Sequence, residues 1–323
     1  VTGPRSAVVF NPVKVGDLDL LRRTVSKGLS TVGWPEPVWL ETTPEDPGRG
    51  QAARAAKDGA ELVFVCGGDG TVMAAVTALA GTDVALAVLP AGTGNLLAAN
   101  LGLGTDAAAG VQVAIEGGRK RIDVGAVGDR CFAVMAGMGF DAQMLEGTSD
   151  AAKKHIGWLA YLGGAAKHLR DRPMRVRIVI DGGAPMPRRP RSVIVGNVGR
   201  LQGGVRLLQE ALPDDGKLDV AVLSPRSLGH WARLGWAVVR RSKRVPLMET
   251  YSAQRVEIFS NRPQSRQLDG DLIEPGKTLK IHIRRRALLL CVPRPAGDPD
   301  LAYDSDAAKR AAKGVRAAAE EAS

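Results

Sequence analysis

Residues 67–71 read Gly-Gly-Asp-Gly-Thr, and residues 90–95 read Pro-Ala-Gly-Thr-Gly-Asn. Each turn follows an apolar β-type run, 62–66 and 84–89, and each leads into an alanine-rich helical pattern, beginning near Val72 and Leu96. A strand, a glycine turn and a helix, given twice, lay backbone N–H groups around a phosphate. The first turn also holds a carboxylate, Asp69. A cradle for a bare anion gains nothing from a negative side chain, so Asp69 points to a phosphate that arrives with a metal ion. Neither turn is a dinucleotide fingerprint, because Gly92-Thr93-Gly94 is followed by Asn95-Leu96-Leu97 and the third glycine is missing. Nor is there a Walker run of G-x-x-x-x-G-K-[ST]. Either turn alone could be a tight connection in which glycine supplies φ > 0. The pair places small polar residues twice where a strand C-terminus meets a helix N-terminus, which favours the phosphate reading.

The elements that must hold these turns alternate. Residues 7–10 read as a strand ended by Asn11-Pro12, 17–28 as a helix with Leu18, Leu21 and Val25 on one face, 38–41 as a strand and 51–58 as a helix. This βαβα rhythm implies a parallel sheet with right-handed crossovers. Ligands of such sheets bind beyond the carboxyl ends of the strands, where Asn11, 67–71 and 92–95 all fall. Past residue 122 the rhythm changes to alternating β patterns at 131–135, 175–180, 192–198, 218–223, 255–259, 279–284 and 287–292. Two helical patterns interrupt them, 151–170 and 227–241. Repeated strands with few crossovers predict an antiparallel sandwich or barrel. The expected organisation is an α/β nucleotide-binding domain over 1–122, with 287–323 open to returning to it, and a β-rich domain over 123–286. The tail 304–323 has helix propensity but little apolar surface. There is no internal repeat.

Composition narrows the class. The chain has 323 residues, 45% of them hydrophobic, which suits about two domains. No apolar run reaches the ~18 residues of a membrane span. The opening Val1-Thr2-Gly3-Pro4-Arg5 shows no secretory signal pattern, so a cytoplasmic protein with a processed start is expected. Cys66, Cys131 and Cys291 lie far apart in apolar runs without metal spacing, and read as buried thiols. The formal charge is +10, with cations crowded at 170–177, 188–191, 233–244, 262–266 and 284–286. With 4% aromatic residues and no nucleic-acid-binding motif, a nucleic-acid partner is not expected. An anionic membrane surface and a merely solvated basic face both fit the charge.

Asn11-Pro12, Gly-Gly-Asp-Gly-Thr at 67–71, Gly-Thr-Gly-Asn at 92–95 and Leu268-Asp269-Gly270-Asp271, in that order over nearly the whole chain, resemble the diacylglycerol kinase catalytic family, which includes sphingosine, ceramide and bacterial lipid kinases. NAD kinases and phosphofructokinases share the acidic glycine turn, but the late Asp-Gly-acid motif in a β-rich domain favours the lipid kinases. The resemblance implies that ATP and Mg²⁺ are used. It implies that Asn11 contacts nucleotide, that Gly67, Gly68 and Gly70 admit its phosphates, and that Thr71 donates its hydroxyl. Asp69 would hold Mg²⁺, with Gly92, Thr93 and Asn95 closing the other side. Asp269 matches the family's catalytic acid and would deprotonate the lipid hydroxyl. Asp271 stands where the family has Glu, and Leu96-Leu97 stand where many bacterial members have Asp-Phe. Residues 212–219 match a loop that binds a structural Mg²⁺ in bacterial members, with Asp215 as the carboxylate and Leu212 and Lys217 as carbonyl donors. Read without the family, Asn11-Pro12 could be a plain turn, Asp269-Gly270 a hairpin turn, and Asp214-Asp215 an acidic turn before a strand.

For the lipid, two stripes offer themselves: Trp158, Leu162, Ala165 and Leu169 between Lys153, Lys154, Lys167, His168 and Arg170; and Leu228, Trp231, Leu234 and Val238 against Arg233, Arg240, Arg241, Lys243 and Arg244. A tryptophan-bearing face with basic flanks rests well on anionic lipid, although the same stripes could pack on the β-rich domain. Residues 136–141 resemble a family segment of no assigned role, and the four histidines show no metal spacing. The expectation is an ATP-dependent lipid kinase, membrane-peripheral on the cytoplasmic face, with diacylglycerol as default substrate. Its alternatives are a kinase of a soluble substrate, as NAD kinases are, and a non-catalytic nucleotide- or lipid-binding protein. A homodimer through unpaired edge strands stays open.

Overall fold

The computed structural model describes residues 3–91, 95–103, 106–139, 173–199, 207–208, 210–240 and 245–294. Gly92, Thr93, the helix read over 151–170, Arg241, Lys243, Arg244 and the tail lie outside them. The described residues form two compact units, one of 3–122, 212–215 and 286–294, the other of 123–211 and 216–285.

In the first unit, strands and helices alternate as β1 (Ser6–Phe10), α1 (Leu18–Thr31), β2 (Val38–Glu41), α2 (Arg49–Lys57), β3 (Leu62–Gly67), α3 (Asp69–Leu79), β4 (Ala85–Pro90), α4 (Leu96–Asn100) and α5 (Ala107–Glu116). β1, β3 and β4 are buried along their whole length. Covered on both faces, they are continuous apolar runs rather than alternating ones, as parallel strands require. β2 pairs with β1, β1 with β3 and β3 with β4, all parallel. A last strand returns from the far end of the chain, setting Leu289 beside Ala85 and Leu290 beside Leu86, again parallel.

Asp17 caps α1 by accepting the Leu20 N–H at 2.8 Å, and Leu21, Val25 and Leu29 form its buried stripe. They pack with Phe10, Phe64, Leu89, Val111 and Cys291 into one core. α5 was not anticipated from the sequence. Its Gly110 lies so close to β4 that a Cβ would sit 2.3 Å from the Val88 carbonyl oxygen. Cys66, Cys131 and Cys291 are buried thiols outside any disulfide, and burial pushes the Cys66 and Cys291 thiols up to about 12.

β5 (Gly118–Val127) carries the chain from the first unit into the second. There follow β6 (Arg130–Phe132), β7 (Met135–Met138), β8 (Val176–Ile180), β9 (Met186–Arg188), β10 (Ser192–Gly196), β11 (Leu218–Leu223), α6 (Leu228–Val239), β12 (Met248–Ala253), β13 (Arg255–Leu268) and β14 (Asp271–Val292). The order β12-β11-β10-β7-β13-β14 is antiparallel throughout. β13 changes partners along its length: residues 256–260 pair with β8, and residues 266–268 with β7. The change falls at a register irregularity between Phe259 and Arg266, where Pro263 cannot donate to a ladder. One strand thereby joins the β8–β9 pair to the strands that follow β7.

The structure corrects three readings. The stretch 131–135 is two strands separated by a bend at 133–134. The patterns at 279–284 and 287–292 are one strand, β14, which begins at Asp271. The helix after the first glycine turn begins at Asp69 itself rather than near Val72. Among the described residues, no helix is long and apolar enough to cross a membrane.

Candidate active site

In the first unit the candidate residues gather at the carboxyl ends of β1, β3 and β4. The Asn11 N–H donates to the Cys66 carbonyl at 2.8 Å, joining the ends of β1 and β3. Its carboxamide oxygen accepts the N–H groups of Val13 (3.0 Å) and Lys14 (3.3 Å). Asn11 is thus a turn residue in its oxygen, and its NH₂ is the half left to meet a ligand. β3 ends at Gly67, Gly68 is the N-cap of α3, and Asp69 is the first helical residue. A Cβ on Gly67 would lie 2.6 Å from Thr71 Cβ and 2.7 Å from its Oγ1, so the buried Thr71 fills the space that a larger residue at 67 would need. Thr71 therefore serves packing at the helix base as well as offering a hydroxyl.

The two glycine turns are physically joined. Asp69 Oδ1 accepts the Leu96 N–H at 2.8 Å, across 27 residues of chain. Asn95, buried, caps α4 by accepting the Ala98 N–H at 2.8 Å. Among the described residues its Nδ2 is a buried donor with no hydrogen-bond partner. That orphan lies directly after residues 92–94, and an unpaired buried donor is what an anionic ligand would satisfy. The exposed Lys14, which sequence reasoning passed over, brings its Cε to 3.9 Å from the Cβ position of Gly68. Its signal was only that of a cation in the loop after the first strand.

In the second unit, Asp269-Gly270 is the two-residue turn between β13 and β14, with Leu268 paired to Asp271. Both turn residues have positive φ, 47° and 97°, the type I′ geometry that Asp-Gly favours. The hairpin reading therefore holds for the backbone, while the side chain does something a turn does not require. Asp269 is 4% exposed. Its Oδ1 accepts the N–H groups of Val134 and Met135, and its Oδ2 that of Ala133, all at 2.8 Å. These donors come from the bend between β6 and β7. Burial pushes the carboxyl up to about 6, against the downward pull of the three N–H groups, and the half-buried Asp271 adds a smaller upward push. The group is a carboxylate at neutral pH and a stronger base than an exposed aspartate.

The same bend is gripped from its other side by Asn197, fully buried. Its N–H donates to the Val134 carbonyl (2.8 Å), and its Nδ2 to the carbonyls of Ala133 (2.9 Å) and Asp123 (2.7 Å). Sequence reasoning missed Asn197; a lone polar residue at the end of the apolar run 192–196 was the available signal.

The loop at 212–217 is divided, with Leu212 and Asp215 in the first unit and Lys217 in the second. Its inward carboxylate is Asp214, 3.0 Å from Lys120 Nζ, whereas Asp215 and Lys217 are exposed. Among the described residues no group of three or more His, Cys, Asp or Glu could hold a metal ion. Mg²⁺ needs no such cluster when triphosphate oxygens and water complete its shell, so Asp69 would hold it as a single carboxylate, while the backbone N–H groups beside it would face the phosphate and not the cation.

Residues 5–127 match the diacylglycerol kinase catalytic domain, and residues 134–290 match the YegS C-terminal NAD kinase beta sandwich-like domain. The chain is 32% identical over 188 residues to a diacylglycerol kinase of Mycobacterium tuberculosis, a match covering 56% of this chain and 61% of that protein, less than two thirds of its length. It is 30% identical over 256 residues to a probable lipid kinase YegS-like protein of Pseudomonas putida, covering 78% of this chain and 83% of that one. Among solved structures it resembles a diacylglycerol kinase of Bacillus anthracis str. Sterne, with a TM-score of 0.67, 20% identity and coverage of 91% and 98%. It also resembles an NAD kinase of Archaeoglobus fulgidus in complex with ATP, with a TM-score of 0.51, 12% identity and coverage of 89% and 93%. The chain belongs to the diacylglycerol kinase catalytic family of lipid kinases.

Proposed function

We propose that this member of the family transfers the γ-phosphate of ATP to the hydroxyl of a lipid alcohol, diacylglycerol being the substrate, to give phosphatidic acid. One observation carries the reading: a buried carboxylate, Asp269, fixed by three backbone N–H groups and raised to about 6. A hairpin turn has no use for such a group, and a general base does.

In the reaction, Asp269 accepts the proton of the lipid hydroxyl. The hydroxyl oxygen forms its bond to the γ-phosphorus as the bond to the β–γ bridging oxygen breaks; ADP leaves with that electron pair, and the proton passes from Asp269 to solvent. The amides at the start of α3, with the positive end of its dipole, receive phosphate oxygens. Lys14 adds a cation and the Asn95 amide a donor. Asp69, held in place through Leu96, would bind Mg²⁺, which when present neutralises charge on the β- and γ-phosphates. Phosphoryl transfer is mainly positioning and charge stabilisation, so these few groups suffice.

Membrane association is part of the proposal. Trp236 on α6 is 54% exposed, with the Arg240 guanidinium 4.5 Å from its ring centre, while Leu234 on the same helix is buried. The helix packs by one side and offers an aromatic–cation pair on another, as a peripheral enzyme does at anionic lipid.

The test is transfer of labelled γ-phosphate from ATP to a mixed lipid extract in micelles, with wild type and Asp269→Asn compared. A labelled lipid formed only by wild type identifies the activity and, by its mobility, the substrate. A folded wild type that binds ATP and labels no lipid would end the lipid-kinase reading and leave the soluble-substrate kinase or the binding protein.

A further inference from the structure

The second unit contains a cavity of about 730 Å³ that none of the candidate active-site residues lines. Its walls carry five arginines, Arg175, Arg177, Arg188, Arg189 and Arg226, with one carboxylate, Glu249. They arrive from separate stretches: β8 and its approach, β9 and its exit, and the segment before α6. In sequence they were scattered clusters; the fold brings them to one concavity. Phe259 of β13 also lines it, with Arg177 5.9 Å and Lys280 5.7 Å from its ring centre.

The one carboxylate is already engaged. Glu249 accepts from Arg188 Nε at 2.8 Å and from the Tyr251 hydroxyl at 2.6 Å. Among the described residues, the guanidinium groups of Arg175, Arg189 and Arg226 make no hydrogen bond or ion pair, and Arg177 has only the Phe259 ring. Gathering four uncompensated guanidinium groups in one concavity is unfavourable by mutual repulsion. Packing does not demand them: Arg175, Arg177, Arg189 and Arg226 are exposed, so shorter polar residues would serve the fold equally. An anion removes the repulsion, and the planar forked donors of arginine match a phosphate best. The volume is that of a site for a small ligand.

We propose that this cavity is a second anion site that binds a phosphate-bearing ligand, either a free phosphate ester or the headgroup of an anionic lipid. It is separate from the proposed base. Asp269 does not line it, and Phe259 and Leu268 stand nine residues apart on β13, on either side of its register irregularity. The site does not depend on the kinase reading, because its test reads binding rather than turnover.

The experiment compares the full chain with Arg175→Gln/Arg189→Gln/Arg226→Gln and with a control that loses three exposed cations of the first unit, Arg23→Gln/Lys27→Gln/Lys57→Gln. The probes are inorganic phosphate and glycerol 3-phosphate by calorimetry, and phosphatidylcholine vesicles with and without phosphatidic acid by sedimentation. The cavity variant is expected to bind at least one probe about tenfold more weakly than wild type, the control within about twofold. Loss confined to the free esters identifies a soluble ligand, and loss confined to phosphatidic acid vesicles identifies a headgroup. Equal losses in both variants, or no binding by wild type, would overturn the proposal. A readout without substitution is phenylglyoxal modification mapped by mass spectrometry. Arg175, Arg189 and Arg226 should be protected by whichever probe binds, and labelling unchanged by every probe would equally overturn it.

Discussion

The dipeptide Asp-Gly occurs at both candidate acids, as Asp69-Gly70 in the first unit and Asp269-Gly270 in the second, and the two copies are built in opposite ways. Asp69 is the first residue of a helix and accepts the Leu96 N–H through its Oδ1. Asp269 sits in a hairpin at φ 47°, is nearly sealed from solvent and spends both oxygens on three N–H groups. Short, flexible and able to cap, the same residue begins a helix in one place and is sealed into a tight turn in the other. The surroundings, rather than the dipeptide, decide which.

The comparison breaks most visibly at Asp269. Asp269→Asn keeps an oxygen toward Val134 and Met135 but turns an NH₂ toward the Ala133 N–H. Loss of the base should lower kcat about 10²–10⁴-fold with ATP affinity retained, checked by phosphotransfer beside nucleotide titration. Asp69→Asn should do less and do it differently. The amide oxygen can still accept from Leu96, so the thermal midpoint should stay near wild type. Activity should fall by about 10–100-fold and require more Mg²⁺, seen as a shifted metal titration.

The two acids should also part company in their pH dependence. Because the folded pKa of Asp269 lies above its unfolded value of 3.8, the native state holds the extra proton between about pH 4 and 6. Its contribution therefore makes stability fall as pH rises through that window, by on the order of 2–3 kcal/mol. Urea midpoints at the two ends, in wild type and Asp269→Asn, isolate the effect; an unchanged difference between them would remove Asp269 as the source. Activity runs the other way, falling as pH drops below about 6 and the base is protonated. The smallest expected effect is steric. Gly67→Ala puts a methyl 2.6 Å from Thr71 Cβ and should cost about 1–3 kcal/mol by chemical denaturation.

The first unit was far more legible than the second. Its strands are continuous apolar runs, and its chemistry lies in turns whose residue types announce it. α5 escaped because Ala107–Gly110 gives no strong apolar stripe. β5 escaped because its opening Gly118 is followed by three cations, Arg119-Lys120-Arg121, and β14 looked like two strands because Arg284-Arg285-Arg286 interrupts the alternation at the point where it passes from one unit to the other. The setting of Asp269 could not be read at all: its three donors are main-chain groups 134 to 136 residues away, and a backbone N–H leaves no mark in a sequence. Of the stripe read on 227–241, Leu234 is buried and Trp231 half-buried, while the side chains of Leu228 and Val238 lie outside those described. The exposed Trp236 lies off that stripe.

β14 has a consequence for how the chain is made. Its last residues complete the parallel sheet beside β4, whose partners Ala85 and Leu86 are synthesised some two hundred residues before Leu289 and Leu290. During translation the parallel sheet therefore waits, the β4 edge bare, until the whole β-rich unit has left the ribosome. Contacts so distant along the chain slow folding and leave an edge open to wrong partners. A chain that stops just short of Arg286 would keep every glycine-turn residue and still lack the strand that closes their sheet.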